Sequence, residues 1–337
     1  MRIATYNVEW FNNLFNNHGT LLRDSEWSGR YNVTRGDQAD ALGAVFAAMD
    51  ADAIMVIEAP DDNRRRSGVT ALKNFAAFYG LRTTEAIIGF FNDTQQEISL
   101  LFDPTLMAVQ HDPIGDTSDP YAPRFDGRFM YDLDTDAAPE PVHWSKPPFE
   151  ARLDTASQVT VRLIGVHAKS KAPHGARNAD EAMRISIENR RKQLAQCVWL
   201  RRRVDHHVEQ GDHLIVLGDF NDGPGLDEYE KLFGRSGVEV VMGEGNKQCL
   251  YDPHARMALS QRVGAAPTTA RFSVGKDQPY LNALLDYVMV SPTLMDKSPR
   301  WTIWHPFDNP RCYADVPLRE ALLMASDHFP VSLDIDI

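Results

Sequence analysis

The sequence predicts an α/β fold in which several strands end beside one another. Four short apolar runs have the length of buried strands, and each ends in a residue that can bind a metal ion or move a proton. These terminal residues are Asn7, Glu58, His167 and Asp219. Apolar residues at helical spacing lie between the runs. Because α/β sheets commonly bind ligands at strand ends, we expect the four side chains to meet at one site.

The order of elements supports this interpretation. The four strand runs are 3–6, 54–57, 163–166 and 214–217. Helical spacing predicts helices over 39–49, 69–79 and about 180–205. In the long helix we expect an apolar stripe of Met183, Ile187, Leu194 and Val198, with arginines on the other faces. Later strands are predicted at 157–166, 283–290 and 329–337.

The composition is that of an ordinary globular protein. The chain has 337 residues, of which 43% are hydrophobic and 24% charged, which excludes a disordered chain, a fibre and a disulfide scaffold. Length alone fits one large or two ordinary domains. With three scattered cysteines, no apolar run near 18 residues and no visible signal peptide, we expect a cytoplasmic protein without a membrane span. A monomer is a separate expectation, which these features do not decide.

The charge limits the substrate. The formal net charge is −12, from 35 basic and 47 acidic residues. Such a surface repels polyphosphate, so a nucleic acid substrate requires a local basic groove or bound cations. The arginine runs at 64–66 and 201–203 either contact phosphate or are solvated. Trp301, Trp304 and Phe307 either stack on bases or lie in the core.

A Pro- and Asp-rich stretch covers about 112–148. It interrupts the alternation of strands and helices, and we interpret it as a long excursion at the rim of the fold. Two alternatives stay open for it, a lid or a solvated loop.

The sharpest local motif is G-D-F-N-D at 218–222, directly after a strand run. Asp219 and Asn221 are two residues apart, so in extended backbone they point the same way. A carboxylate and an amide together can activate a water and bind a developing oxyanion. An Asx-type turn after a strand is the plain structural alternative.

Three further motifs carry chemistry. S-D-H-F-P at 326–330 places Asp327 beside His328, just before a predicted core strand. Asp286 lies in an apolar strand and needs a partner, such as a charged histidine, a metal or a turn, because burying a lone charge is costly. H-A-K-S-K at 167–171 offers an imidazole and lysines for a phosphate, or simply a surface lysine pair.

Six blocks in this order resemble the endonuclease/exonuclease/phosphatase superfamily, the DNase I-like fold. The blocks are T-Y-N-V-E-W (5–10), V-I-E-A (56–59), G-V-H-A-K-S-K (165–171), G-D-F-N-D (218–222), L-D-Y-V-M-V (285–290) and S-D-H-F-P-V (326–331). The resemblance implies a four-layer α-β-β-α sandwich of two packed mixed sheets, as one domain over 1–337. The stretches at 167–171 and 190–195 are more similar to bacterial nuclease-like members than to the abasic-site repair branch.

The resemblance also implies roles. Glu58 is implied as the main ligand of a divalent cation, Mg²⁺ or Mn²⁺, with Asn7 and Glu9 beside it and Asp327 as a further carboxylate near the metal or a partner for His328. The implied catalytic residues are His167, Asp219, Asn221, Asp286 and His328. Of these, Asp219 activates water, Asn221 binds a phosphoryl oxygen, Asp286 supports an imidazole, and the two histidines serve the phosphate and its leaving oxygen.

Two lysines are expected to bind substrate, and one residue departs from the family pattern. Lys146 lies in a segment similar to a family stretch with a cation before proline, and Lys169 lies in the H-A-K-S-K block. The residue before the metal-binding glutamate is commonly Gln in the family and is Ile57 here, which affects the hydrogen bonds around the metal ligand.

The implied reaction is hydrolysis of a phosphoester by in-line attack of water, most simply by a phosphodiesterase or nuclease, with a nucleic acid among the expected partners. Three alternatives stay open: a phosphomonoesterase or a phosphodiesterase for small molecules or lipid headgroups, a binding module without catalysis, and a hydrolase of a different bond.

Overall fold

The computed structural model describes residues 1–119, 121–132, 138–173, 175–224, 233–243, 249–260, 266–273 and 280–337. Two mixed sheets pack face to face, and helices cover the outer face of each. The layers therefore run helix, sheet, sheet, helix, which confirms the four-layer sandwich that the resemblance implies.

The first sheet has six strands in the order β14-β15-β1-β2-β4-β3. Its strands are β1 (Arg2–Asn7), β2 (Ala53–Ala59), β3 (Glu85–Ile88), β4 (Glu97–Phe102), β14 (Arg300–Ile303) and β15 (Val331–Asp334). β1 and β2 are parallel and the other pairs antiparallel. The predicted strand at 329–337 is shorter, because Phe329 instead hydrogen-bonds Thr269 and Pro330 has no N–H to donate.

The second sheet has five strands in the order β13-β10-β9-β8-β5. They are β5 (Met107–His111), β8 (Phe149–Thr155), β9 (Thr160–His167), β10 (Leu214–Asp219) and β13 (Asp286–Val290). Two small antiparallel sheets pair β6 (Phe129–Tyr131) with β7 (Glu140–Val142) and β11 (Ala270–Phe272) with β12 (Leu281–Ala283). The predicted strand at 283–290 is thus divided, and Asp286 begins its second part.

Side chains that alternate along the strands fill the space between the sheets. Met55 and Ile57 of the first sheet pack in one cluster with Leu163 and Leu217 of the second. A Cβ at position 165 would lie 2.5 Å from Sδ of Met55 and 3.0 Å from Cγ2 of Ile98, so a larger residue there would require side chains of the facing sheet to shift.

Helices cover the first sheet on one side and the second on the other. α1 (Arg35–Met49), α2 (Gly68–Phe78) and α7 (Val316–Ala325) pack on the first sheet. α3 (Ala179–Glu209), α4 (Gly237–Met242) and α5 (Pro253–Ser260) pack on the second, and α6 is Pro310–Ala314. Short 3₁₀ helices cover Phe11–Leu14 and Pro292–Lys297. Within the described ranges, no helix combines the length and apolar character needed to cross a bilayer.

The buried face of α3 differs from the predicted stripe. Met183 is 49% exposed, whereas Trp199, Leu200 and Val204 are fully buried. Arg203 is buried with them, because its guanidinium donates to Glu150 Oε1 at 2.7 Å and to backbone carbonyls. Helical periodicity missed this face since two of the inward positions are arginines, Arg190 and Arg203.

The excursion at 112–148 packs against α3 over its described part. Phe125, Phe129 and Trp144 are buried in the core cluster around Trp199. Trp199 Nε1 donates to the carbonyl of Pro123 at 2.9 Å. The interpretation as a purely solvated loop is therefore wrong, although Asp134 and Asp136 lie outside the described residues.

The arginine runs and the late aromatic residues mostly serve the fold. Arg203 is buried, and Arg201 bonds the carbonyl of Met242 at 3.0 Å. Trp304 is buried, and its Nε1 donates to Ser332 Oγ. Trp301 Nε1 donates to the carbonyl of Val288. Phe307 is 41% exposed but packs against Arg271. Of the two runs, the one at 64–66 stays at the surface.

Candidate active site

Strand pairing brings the predicted residues together. The register of β9 against β10 places His167 beside Asp219, and that of β10 against β13 places Asp286 on the other side of Asp219. Asn7, at the end of β1, donates from Nδ2 to Asp219 Oδ2 at 3.0 Å. The ends of the two sheets therefore meet at the Asp219 carboxylate.

Glu58 reaches the same point through an irregular backbone. The register between β2 and β4 shifts between Ile57 and Ala59, so Glu58 lies in a bulge, with φ of 59°. This left-handed conformation is costly for a residue other than glycine, and such residues cluster at functional sites. The bulge places Glu58 in the wall of a cavity that it shares with Asn7 and Asp219. Burial raises the pKa of Glu58 to about 7, against the nearby charges of Lys146 and His328.

Asp219 is held by donors on several sides. Its Oδ1 accepts from the backbone N–H of Asn221 at 2.7 Å, and its Oδ2 accepts from the Asn221 side chain at 3.0 Å. Burial raises the pKa of Asp219 to about 6, although the positive charge of His328 opposes the shift. A carboxylate with a pKa near neutrality is suited to accept a proton from water.

The amide of Asn221 is already engaged. Besides Asp219, its Nδ2 donates to the carbonyl of Ala168 at 3.1 Å. The turn also requires φ of 48° at Asn221 and φ of 134° at Gly218, where a Cβ would lie 2.1 Å from the Val166 oxygen. In this structure Asn221 orients Asp219, which differs from the phosphoryl-binding role that the resemblance implies.

The buried carboxylate of Asp286 is paired with a histidine. Its Oδ2 lies 2.8 Å from Nδ1 of His328, which arrives from the segment before β15. Burial alone would lower the pKa of His328, but the carboxylates of Asp286, Asp219 and Asp327 outweigh it and hold that pKa well above its usual value. The cavity is thus lined by a positively charged imidazole.

The second imidazole has the opposite character. Burial, followed by the charges of Lys146 and His328, holds the pKa of His167 well below its usual value. Lys146 Nζ lies 3.3 Å from His167 Nε2, and burial lowers the pKa of Lys146. His167 Nε2 also lies 3.6 Å from Asp219 and 3.8 Å from Glu58. A neutral ring is therefore favoured at His167, which does not suit it to protonate a leaving oxygen.

Nine of the ten predicted side chains line one cavity of about 960 Å³, and Asp286 lies behind it on His328. Lys169 lines the wall formed by the H-A-K-S-K loop, and burial with the charge of Lys192 lowers its pKa. The sequence prediction of one shared site is confirmed as geometry. The catalytic roles of these residues remain predictions.

Sequence reasoning missed other residues of the site. Asp222, the last residue of G-D-F-N-D, is fully buried, and its Oδ1 accepts from Lys171 at 2.5 Å and Arg190 at 3.0 Å. This network ties the H-A-K-S-K loop and α3 to the turn that carries Asp219, so the lysine pair is not simply a surface feature. Trp10 and Phe272 also line the cavity. Trp10 belongs to the first sequence block, and its position three residues after Asn7 could have indicated that it lies near the site.

The donor set fits a hard divalent cation. Asn7 Oδ1 and Asp327 Oδ1 are buried oxygens without a hydrogen-bond partner, and both residues line the cavity with Glu58. Within the described part of the chain, no three His, Cys, Asp or Glu side chains form a metal-binding group by themselves. Mg²⁺ suits such a site, because it commonly takes one or two carboxylates and keeps water as its other ligands.

Solved structures share this fold at low sequence identity. Truncated TDP2 from Caenorhabditis elegans superposes with a TM-score of 0.51 at 12% identity, covering 100% of this chain and 97% of that chain. TDP2 from D. rerio complexed with a single-strand DNA product gives 0.50 at 11% identity, with 100% and 99% covered. An endonuclease/exonuclease/phosphatase from Bacteroides vulgatus gives 0.50 at 13%, with 100% and 98% covered.

Two sequence comparisons complete the assignment. No curated protein matches the chain. The profile of the Endonuclease/Exonuclease/phosphatase family matches residues 4–328, a span that contains every residue of the site described above. The chain belongs to the endonuclease/exonuclease/phosphatase family.

Proposed function

We propose that this protein is a divalent-metal-dependent phosphoester hydrolase that acts as a phosphodiesterase or nuclease. Membership of the family supports phosphoester hydrolysis in general. The observation that carries the proposal is the cavity in which Asp219, with a raised pKa, and a positively charged His328 face Glu58. A base, a cationic donor and a metal ligand around one volume are what metal-assisted phosphoester hydrolysis requires, and these side chains could serve in those roles.

Glu58, with Asn7 Oδ1 and Asp327 Oδ1, would hold Mg²⁺ or Mn²⁺. These are oxygen donors without a thiolate, which favours hard cations over zinc. When bound, such a cation supplies positive charge to the phosphoryl oxygens. It would also bring a charge to Glu58, whose burial otherwise opposes ionisation.

Asp219 would remove the proton from the attacking water. Asn7 and Asn221 fix its carboxylate by hydrogen bonds of 3.0 Å, so the base is oriented before substrate arrives. Positioned general bases contribute about 10²–10⁴ in rate.

His328 would donate from Nε2 to a phosphoryl oxygen. Its Nδ1 is occupied by Asp286, which fixes the ring and stabilises its charge. Lys146 would add a further donor beside neutral His167, since both line the cavity and their nitrogens lie 3.3 Å apart. Removing one donor of this kind costs about 10²–10³ in rate.

The cavity of about 960 Å³ favours a diester over a simple monoester, because it has room for an organic group on either side of a phosphate. Nucleic acid stays a proposed substrate. The exposed arginines at 64 and 65 provide local positive charge, and the D. rerio TDP2 structure holds a DNA product.

The test is hydrolysis of three substrates in Mg²⁺, in Mn²⁺ and in EDTA: a supercoiled plasmid, bis(p-nitrophenyl) phosphate and p-nitrophenyl phosphate. We expect cation-dependent cleavage of the diesters. Asp219→Asn and His328→Ala are expected to lower kcat by about 100-fold or more while remaining folded at the assay temperature, as checked by circular dichroism.

Matched controls are Asp296→Asn and His206→Ala, which make the same changes at exposed positions outside the cavity. They should retain wild-type rates. Full activity in EDTA would refute the metal dependence, and wild-type rates in Asp219→Asn would refute its assignment as the base.

A further inference from the structure

Trp10 presents an aromatic surface to the cavity. It is 47% exposed, yet it lines the same cavity as Glu58, Asp219 and His328. Covering the exposed apolar surface of this indole with a ligand would be favourable, and such rings are enriched where ligands bind.

The ring of Trp10 is held in place. A Cβ at position 29 would lie 2.9 Å from Cγ of the indole, so the ring packs closely on the bare backbone of Gly29. Its Nε1 donates to Glu9 Oε1 at 2.9 Å, and the other oxygen of Glu9 is paired with Arg30. The ring is therefore supported by glycine on one side and anchored along its polar edge.

The backbone below the ring is fixed in a strained conformation. Trp10 has φ of 59° and ψ of 23°, in the left-handed region that a bulky residue rarely adopts. Glu9 donates its N–H to Ser326 Oγ at 3.1 Å and accepts at its carbonyl from Gln38 at 2.7 Å. Strain that the surroundings enforce in this way is typical of functional positions.

Resting on the proposed function, we propose that Trp10 is a stacking platform for a planar ring carried by the substrate. The enzyme would then prefer phosphodiesters with an aromatic or heterocyclic ring beside the phosphate that is cleaved. A preorganised indole loses little freedom on binding, so stacking contributes directly to affinity. The ring belongs either to a nucleobase or to a simple aryl group, and both share this π-face chemistry.

Matched esters separate the two sources of the ring. All carry the same trifluoroethyl leaving group, which contains no ring and whose release is followed by ¹⁹F NMR. The first pair is benzyl and cyclohexylmethyl trifluoroethyl phosphate, which differ in ring planarity. The second pair is the trifluoroethyl ester of thymidine monophosphate and that of dihydrothymidine monophosphate, whose base is not planar. Steady-state kcat and KM are measured in Mg²⁺ for all four.

We expect the wild-type KM to be about tenfold or more lower for the planar member of at least one pair. Trp10→Leu should remove this preference and bring the KM values of the planar and non-planar members of each pair within threefold of each other. Trp10→Phe should keep most of the preference, since it retains a ring. Trp27→Leu is the control, because Trp27 is also exposed, at 66%, but lies outside this cavity.

Each outcome decides the matter. A Trp10-dependent preference confined to the thymidine pair supports the platform with a nucleobase as its ligand, and one seen in both pairs supports a general aryl ligand. Equal KM values within both pairs, or a preference that survives Trp10→Leu, would overturn the inference. If Trp10→Leu does not fold, the ratios of KM between the non-planar and planar esters in the wild type and in Trp10→Phe still test the inference. No hydrolysis of any ester would instead refute the proposed function.

Discussion

Two buried histidines in one cavity have pKa values displaced in opposite directions. His328 hydrogen-bonds the Asp286 carboxylate, which outweighs the effect of burial. His167 has the ammonium of Lys146 at 3.3 Å, which adds to the effect of burial. Opposite environments for like groups separate their chemical roles. At the residue scale, the site is therefore built to keep one imidazole charged and the other neutral.

The proposed role of Asp219 as the base predicts how the rate depends on pH. Burial raises its pKa to about 6, and a base acts only when deprotonated. We expect kcat/KM for a phosphodiester to fall tenfold per pH unit below about 6 and to level off above it. The measurement is a pH–rate profile at saturating Mg²⁺. A rate that stays constant from pH 7 to pH 4.5 would show that Asp219 is not the base.

The sequence predicted which residues form this site but not the hydrogen bonds that they make. Asn7, Glu58, His167 and Asp219 could be identified because each ends a strand run. The engagement of Asn221 with Ala168 could not be predicted, since it depends on a positive φ and on a carbonyl 53 residues away. Local sequence does not encode such distant acceptors.

At the scale of elements, α3 fastens the excursion at 112–148 to the second sheet. Arg203 donates to Glu150 on β8 at 2.7 Å and to the carbonyls of Ala122 and Pro123. The same excursion ends at Lys146 in the active-site cavity. A buried arginine in the helix thus fixes the segment that delivers a lysine to the site.

Removing this arginine should be costly. Arg203→Met leaves Glu150 buried without its partner, and breaking a buried pair in this way costs about 3–5 kcal/mol. The double variant Glu150→Leu/Arg203→Met should recover most of the loss, because no charge is left unpaired. Urea denaturation measures both. Arg184→Met, on an exposed face of the same helix, is the control and should change stability by less than about 0.5 kcal/mol. A loss below 1 kcal/mol in Arg203→Met would contradict this role.

The elements themselves were largely predictable. Apolar runs located β1, β2, β9 and β10, because buried parallel strands need near-continuous apolar sequence. The buried face of α3 was not predictable from periodicity. Arg190 and Arg203 occupy inward positions there, and their acceptors belong to other segments.

At the scale of the whole molecule, the site exists only when both sheets are packed. Asn7 and Glu58 come from the first sheet and Asp219 from the second, joined across 212 residues by one hydrogen bond. The chain is acidic overall, with a formal net charge of −12. In the cavity, Lys146, Lys169 and His328 offset the carboxylates of Glu58, Asp219 and Asp327. A substrate anion therefore meets less repulsion there than from the acidic protein as a whole.

Cation binding should stabilise the folded protein. A ligand that binds only the native state adds RT ln(1 + [L]/Kd), about 2.7 kcal/mol at 100 times Kd. We expect Mg²⁺ to raise the unfolding temperature of the wild type by several degrees and that of Glu58→Gln by clearly less at the same Mg²⁺ concentration. Differential scanning calorimetry measures the shift. Glu209→Gln, at an exposed glutamate, should behave as the wild type, and an equal shift in Glu58→Gln would place the cation elsewhere.

The central claim is that a divalent cation held at Glu58 drives phosphodiester hydrolysis in this cavity. The most direct measurement is the rate of bis(p-nitrophenyl) phosphate hydrolysis by EDTA-treated protein during Mg²⁺ titration, for the wild type and for Glu58→Gln. We predict saturable restoration in the wild type and a requirement for at least tenfold more Mg²⁺ in the variant. Equal rates with and without Mg²⁺, or identical titration curves for the two proteins, would contradict the account.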